Sequence, residues 1–287
     1  MQPHVHPFFD PTTYTISYVL RDPASPACAI IDPVLDYEPQ AARTDTRSAE
    51  RIVEYVRQEG LNVAWILETH AHADHLSAAA WLQQQLGGKV GIGARIREVQ
   101  QRFAALFGMP PAVMAEDGFD HLFEDGEVIQ VGQLPVQVLQ TPGHTPACVS
   151  YRAGDALFVG DTLFMPDYGT ARADFPGGDA CQLYHSIRRL LALPPETRMF
   201  LCHDYPPGGR AACWETTVAA QRADNLWMHE GVSEAQFVRR RAERDRALPV
   251  PALILPSLQV NIRGGQLPPA DDNGIRYLRL PLDQLGG

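Results

Sequence analysis

The stretch LETHAHADHLSA places His70, His72, Asp74 and His75 within six positions. The whole chain has 10 histidines in 287 residues, so three in so short a span are not surface decoration. Neutral imidazoles and carboxylates are the nitrogen and oxygen donors that zinc, iron and manganese take. Packing has no use for such a cluster; a metal ion does. Three later segments carry the same donor types at the ends of apolar runs: His144 in TPGHTP, Asp161 in LFVGDTLF, and His203 with Asp204 in FLCHDY. Taken singly, His144 or His203 is an ordinary loop or core histidine, and Asp161 a turn residue. The cluster at 70–75 changes that reading, because it supplies part of a site that the later residues complete. His4, His6, His121, His185 and His229 lack such context and read as structural or surface residues.

Donors from distant segments converge only if strand ends bring them together. Two β-prone runs at 13–20 and 27–34 flank the turn-like RDPASP. Ile52, Val53 and Val56 among charges predict a helix over 48–60, with Ser48 as N-cap and Gly60 as stop. NVAWILET reads as a buried strand, 74–86 as a helix ending at Gly87, KVGIG as a short strand and 94–107 as a helix. Because strand side chains alternate, His70 and His72 project to one side if the extended geometry persists. EVIQV, LPVQVLQT, CVSYRAG and ALFVGD form a second group of strands, followed by a helix over 181–193 and the strand RMFLCH. Arg-rich helical stretches are expected over 211–229 and 233–246, then a Pro- and Gly-rich extended tail lying over the core. Two strand groups interleaved with helices predict two sheets packed face to face with helices outside.

A hydrophobic fraction of 45% with 20% charged residues is that of an ordinary globular chain. The net charge of −10 argues against bulk attraction to nucleic acid or an anionic membrane. No apolar run approaches the roughly 18 residues of a spanning helix. The opening MQPHVHPFFDP has no basic segment followed by an apolar one, so a cytoplasmic location is expected. Cys28, Cys148, Cys181, Cys202 and Cys213 are widely spaced and read as reduced thiols. Cys148 and Cys202, though close to His144 and His203, read as small buried apolar residues.

The order His-x-His-x-Asp-His, Gly-His loop, Gly-Asp and strand-terminal His resembles the metallo-β-lactamase superfamily over residues 10–205. That resemblance implies an α/β fold, an αββα sandwich with metals at one edge. It implies one domain over 1–287, with a core at about 8–206 and C-terminal helices and tail at about 207–287. In two-metal members, residues matching His70, His72 and His144 hold one ion. Those matching Asp74, His75 and His203 hold the other, with Asp161 between them. His72 is unlike the Glu usual in flavodiiron proteins, and neither an inserted domain nor an export leader points to the nuclease or exported lactamase branches.

GDTLFMPDYGTARADFPGG and the His203-Asp204-Tyr205 triplet resemble persulfide dioxygenases, whereas glyoxalase II thioesterases more often have His-Glu-Tyr. The spacing from Asp161 to Arg172 is slightly longer than the common dioxygenase pattern. The resemblance implies one Fe(II) per chain on His70, His144 and Asp161, with positions open for substrate sulfur and O2. His72, Asp74, His75 and His203 would then orient ligands and waters, with Asp204 in a supporting role. The implied reaction oxidises glutathione persulfide with O2 to sulfite and glutathione. Arg172 and Tyr205, with Tyr168 and Arg210 as further candidates, would meet the glutathione carboxylates. The run FVRRRAERDR is expected to be an exposed helix face. Two alternatives stand beside this reading: a thioesterase of the glyoxalase II kind with two Zn(II), and a non-catalytic metal-binding protein on the same scaffold. No nucleic-acid or membrane partner is expected, and homo-oligomerisation is left open.

Overall fold

In the computed structural model, residues 2–109 and 118–285 are described. One sheet runs in the order β1 (His4–Asp10), β2 (Thr15–Arg21), β3 (Ala27–Ile31), β6 (Asn62–Leu67), β8 (Lys89–Gly93), β9 (His121–Phe123). Its first two pairings are antiparallel and the other three parallel. The second sheet runs β10 (Val128–Val131), β11 (Leu134–Gln140), β12 (Val149–Ala153), β13 (Ala156–Phe158), β14 (Arg198–Phe200), β15 (Glu215–Thr217). Only its β13–β14 pair is parallel. A small sheet, β5 (Arg43–Asp45), β4 (Val34–Glu38), β7 (Leu76–Ser77), lies beside the first.

Several of these strands have three residues, too few to be stable alone. Burial of their side chains holds them. Tyr18, Ile31, Leu67 and Phe123 of the first sheet pack on Val136, Val138, Tyr151 and Phe158 of the second. Each such fully buried side chain contributes roughly 1.5–3 kcal/mol. On the outer face of the first sheet, Val19, Ile30 and Ile66 meet Ile52 and Val56 of α1 (Arg47–Gln58) and Leu82 of α2 (Ala79–Leu86). On the outer face of the second, Leu157 and Met199 meet three helices. These are α4 (Ala180–Leu191), α5 (Val218–Asp224) and α6 (Glu234–Asp245), contributing Leu183, Ile187, Val218 and Phe237. Val99 and Phe103 of α3 (Ile96–Phe107) pack on Leu258 of α7 (Ile254–Asn261). The layers are therefore helix, sheet, sheet, helix. No helix among the described residues is long and apolar enough to cross a membrane.

Three expectations need correction. The helix predicted over 74–86 begins only at Ala79. Asn261 Nδ2 donates to the carbonyls of His72 and His75, each at 2.8 Å, and the Ala79 N–H goes to Ser77 Oγ at 3.0 Å instead of to the His75 carbonyl, so the segment is held out of helix. The stretch expected to be helical over 211–229 contains β15 and only the short α5. The predicted extended tail holds α7, whose Leu258 and Val260 are fully buried. The apolar residues of α7 fall beside Pro256, which obscures a helix in the sequence.

Candidate metal centre

The donors sit where strands end. His70, His72, Asp74 and His75 follow β6, His144 lies between β11 and β12, Asp161 follows β13, and His203 follows β14. Two glycines make the approach possible. Gly160, at φ +53°, lies so close to Thr69 that a Cβ would stand 2.6 Å from its hydroxyl oxygen. Gly143, at φ +141°, packs on the backbone of Leu183, where a Cβ would be 2.3 Å away. Both positions require the missing side chain.

Asp161 stands in the middle. Its Oδ2 lies 3.8 Å from His70 Nε2 and 3.6 Å from His144 Nε2, and its Oδ1 lies 3.4 Å from His203 Nε2. Asp74 Oδ2 is 3.3 Å from His203 Nε2. The His70 and His72 ring centroids are 4.0 Å apart, those of His72 and His75 4.3 Å. Two groups thus form within ligand reach: His70, His144 and Asp161, and His72, Asp74, His75 and His203. Ligands each about 2.1 Å from one ion at tetrahedral angles stand about 3.4 Å apart, so these separations suit shared ions. Among the described residues, His70 Nε2, His72 Nδ1, Asp74 Oδ2, His75 Nε2, Asp161 Oδ1 and His203 Nε2 are buried without a hydrogen-bond partner. So many orphaned donors aimed at one space are a large cost unless an ion satisfies them. The residues fit a metal.

Each ring is held by its other nitrogen, as metal-ligating histidines are. His144 Nδ1 donates to the carbonyl oxygen of Arg172 at 2.8 Å. His70 Nδ1 lies 3.0 Å from Thr69 Oγ1, and His203 Nδ1 3.3 Å from Thr15 Oγ1. His72 Nε2 meets Asp32 Oδ1 at 3.0 Å and Glu68 Oε2 at 3.4 Å. Asp32 also accepts from Thr69 N at 2.7 Å and Thr69 Oγ1 at 2.9 Å. Glu68 is held by the Ser77 hydroxyl.

The environments divide the histidines. Burial, reinforced by the neighbouring imidazoles, pushes His70 well below 6.5, so it is neutral. Burial works against the charge on His72 as well, but Asp32 outweighs it and raises His72 well above 6.5. His203 is likewise buried, and Asp74 and Asp161 raise it. Burial alone would raise Asp74; His203 and His75 hold its carboxyl well below the usual carboxylate range.

A pocket of about 360 Å³ opens on His144, Asp161 and Asp74, walled by Phe164, Tyr168, Tyr205 and Trp227. Tyr205 lies stacked on His203, centroids 5.6 Å apart. Arg172 reaches the pocket, but its guanidinium forks onto Asp174 at 2.5 and 2.7 Å and bonds the carbonyl of Pro249. Arg210 is not among the pocket residues: it bonds both oxygens of Asp204 and both of Asp167, at 2.6–2.9 Å. Asp204, fully buried, accepts those bonds and the Cys213 N–H, so it fastens the following loop rather than a histidine. The FVRRRAERDR run is not simply an exposed face, because Arg241 is 3% exposed and lines the pocket with Arg244.

Asp32, Glu68 and Asn261 were not visible as site residues in the sequence. The sequence marks Asp32 only by its place at the end of the apolar run in IIDPV, and the structure adds a φ of +49° there. Cys148 and Cys202 are buried, as expected.

The family model described as the metallo-beta-lactamase superfamily matches residues 13–203. A probable metallo-hydrolase of Burkholderia pseudomallei (strain 1710b) is 52% identical, over 98% of this chain and 99% of its own. Glyoxylase B2 of Dictyostelium discoideum is 45% identical, over 93% of this chain and 92% of its own. A mitochondrial persulfide dioxygenase, ETHE1 of Bos taurus, is 31% identical over 69% of this chain and 66% of its own. The crystal structure of ETHE1 from Myxococcus xanthus superposes with a TM-score of 0.74 at 30% identity, covering 92% of this chain and all of that one. With its four layers and its strand-end histidines and aspartates, the chain belongs to the metallo-β-lactamase superfamily.

Proposed function

We propose that the chain is an iron-dependent dioxygenase that oxidises a low-molecular-weight persulfide, taken here as glutathione persulfide, with O2 to sulfite and the thiol. The observation that supports this reading is the gathering of His70 Nε2 and His144 Nε2 around Asp161 Oδ2, at 3.8 and 3.6 Å, beside a pocket that opens on His144 and Asp161. His70, His144 and Asp161 would hold a single non-haem Fe(II), which would supply affinity for a soft sulfur and for O2.

The chain's own groups then bind and orient. Phe164, Tyr168, Tyr205 and Trp227 give the pocket an aromatic wall on which the carrier would pack. Burial, with Asp74 and Asp161 adding to it, raises Tyr205 well above 10, so its hydroxyl stays protonated and able to donate to a thiolate or carboxylate. Arg244, which lines the pocket, gives it a cation suited to a carboxylate-bearing thiol carrier, and Arg172 would have to leave Asp174 to add a second.

A second reading is supported by the similarity to proteins named metallo-hydrolase and glyoxylase: a thioesterase whose donors would hold two zinc ions, which would activate water for hydrolysis. Substitution at His72 separates the two. In the dioxygenase, His72→Ala keeps one tightly held Fe(II) per chain and measurable O2-dependent turnover, whereas His144→Ala loses both. Loss of half the bound metal together with all turnover in His72→Ala, and hydrolysis of glutathione thioesters by the zinc-loaded chain, would replace it by the thioesterase.

A further inference from the structure

His144 is held from behind by a single bond, Nδ1–H to the carbonyl oxygen of Arg172. That bond places its proton on Nδ1 and turns Nε2 toward Asp161. The carbonyl belongs to residues 170–173, which have no regular secondary structure and so do not fix its direction by themselves. What fixes them comes from α6. Asp245 Oδ2 accepts the Ala173 N–H at 2.9 Å, and Arg241 Nη1 donates to the carbonyl of Thr170 at 3.3 Å. The two clamping residues are themselves paired, Arg241 Nη2 to Asp245 Oδ1 at 2.6 Å and Nε to the same oxygen at 2.9 Å. Trp227 covers the guanidinium, 4.4 Å from its ring centroid. Arg241 is 3% exposed and Asp245 5%.

A buried ion pair is a poor source of net stability, because desolvation offsets its attraction, and packed apolar residues would serve a helix face as well or better. Here Asp245 also accepts from the Ala173 N–H, and Arg241 also donates to the carbonyl and the hydroxyl of Thr170, so the pair grips the chain on both sides of Arg172. We propose that the Arg241–Asp245 pair is a positioning device for His144, transmitting the placement of α6 to the metal centre through residues 170–173. It touches neither ion nor reacting atoms. The inference rests on the metal-centre reading, though not on the identity of the substrate. It also explains why a helix beyond the last donor, His203, belongs to the working unit.

The direct partner of a ligating histidine typically alters metal affinity 10–100-fold when removed. The pair acts one bond further out, so about tenfold is expected. The test is titration of the full chain with Co(II), read by its visible absorption, with kcat and KM for glutathione persulfide measured on the Fe(II) form. Asp245→Ala should bind Co(II) about tenfold more weakly, with a shifted visible band, and lower kcat at unchanged KM. Asp245→Asn, whose amide oxygen still accepts from Ala173, should recover part of both. Arg239→Gln, exposed on the same helix, should behave as the unaltered chain. Should Asp245→Ala fail to fold, Arg241→Lys, which keeps the pair and loses the fork to Thr170, should shift band and affinity in the same direction. Unchanged Co(II) affinity and spectrum in a folded Asp245→Ala or Arg241→Lys would overturn the proposal alone. Absence of Co(II) binding by the unaltered chain would overturn it together with the metal-centre reading.

Discussion

Asp32→Asn tests whether the residue behind His72 holds the centre together. Asp32 accepts three bonds, from Thr69 N, Thr69 Oγ1 and His72 Nε2, at 2.7, 2.9 and 3.0 Å. Asparagine tolerates the φ of +49°, so backbone strain does not confuse the result. Its amide oxygen can keep Thr69 N and His72, but its NH2 then faces Thr69 Oγ1, and that hydroxyl loses its acceptor. The charge facing His72 also disappears. A hydrogen bond to a charged group contributes about 1.5–3 kcal/mol, so the metal-free variant should be about 2–3 kcal/mol less stable. That corresponds to a fall in Tm of roughly 4–8 °C. Thr69 Oγ1, which Asp32 holds, is the group against His70 Nδ1, so Fe(II) affinity should fall about tenfold through His70.

The pH dependence gives the sign. Although burial opposes it, the His72 charge and the Thr69 bonds lower the Asp32 carboxyl below 3.8, so its contribution is present above that value and lost as pH falls through the folded pKa. His72 is raised above 6.5, so its contribution is full below 6.5 and lost as pH rises through the raised value. The Tm difference between the two chains should therefore be largest from about pH 4 to 6.5, shrinking on both sides. Thermal unfolding of metal-free protein across pH 3–9 measures it. An Asp32→Asn chain with unaltered Tm at pH 6 and unaltered metal affinity would refute the reasoning.

Arg210→Ala should lower stability by about 3 kcal/mol, because it strands the buried Asp204 carboxylate. It should leave KM for the persulfide unchanged, since the guanidinium is engaged by Asp204 and Asp167; a raised KM at normal stability would return Arg210 to the substrate site. Gly169→Ala would place a Cβ 2.0 Å from Trp227 Cδ1 at φ +105°. It should destabilise by about 1–3 kcal/mol and raise KM by displacing the pocket wall, read by urea unfolding and steady-state kinetics.

The donors were legible because ligation demands particular residue types, and few other uses crowd three histidines into 70–75. The layers were legible because strand runs such as NVAWIL and LPVQVLQ are apolar enough to announce burial. What escaped depends on contacts across long sequence separations. Asn261 bonds His72 and His75 from 189 and 186 residues away, so the delayed start of α2 has no local signal. Asp32 is one carboxylate among many until the fold sets it under His72. Arg241 is one arginine in a charged run, and only the packing of Trp227 and Asp245 distinguishes it from exposed Arg239. Arg210 had the right chemistry for a substrate carboxylate and found protein carboxylates instead.

The most direct test of the proposed chemistry is O2 uptake by chain loaded anaerobically with Fe(II), on addition of glutathione persulfide, with sulfite assayed in the same vessel. Uptake matched by sulfite, and absent in His70→Ala, is the expected result. No uptake by chain with verified iron, alongside thioester hydrolysis by the zinc-loaded form, would contradict it.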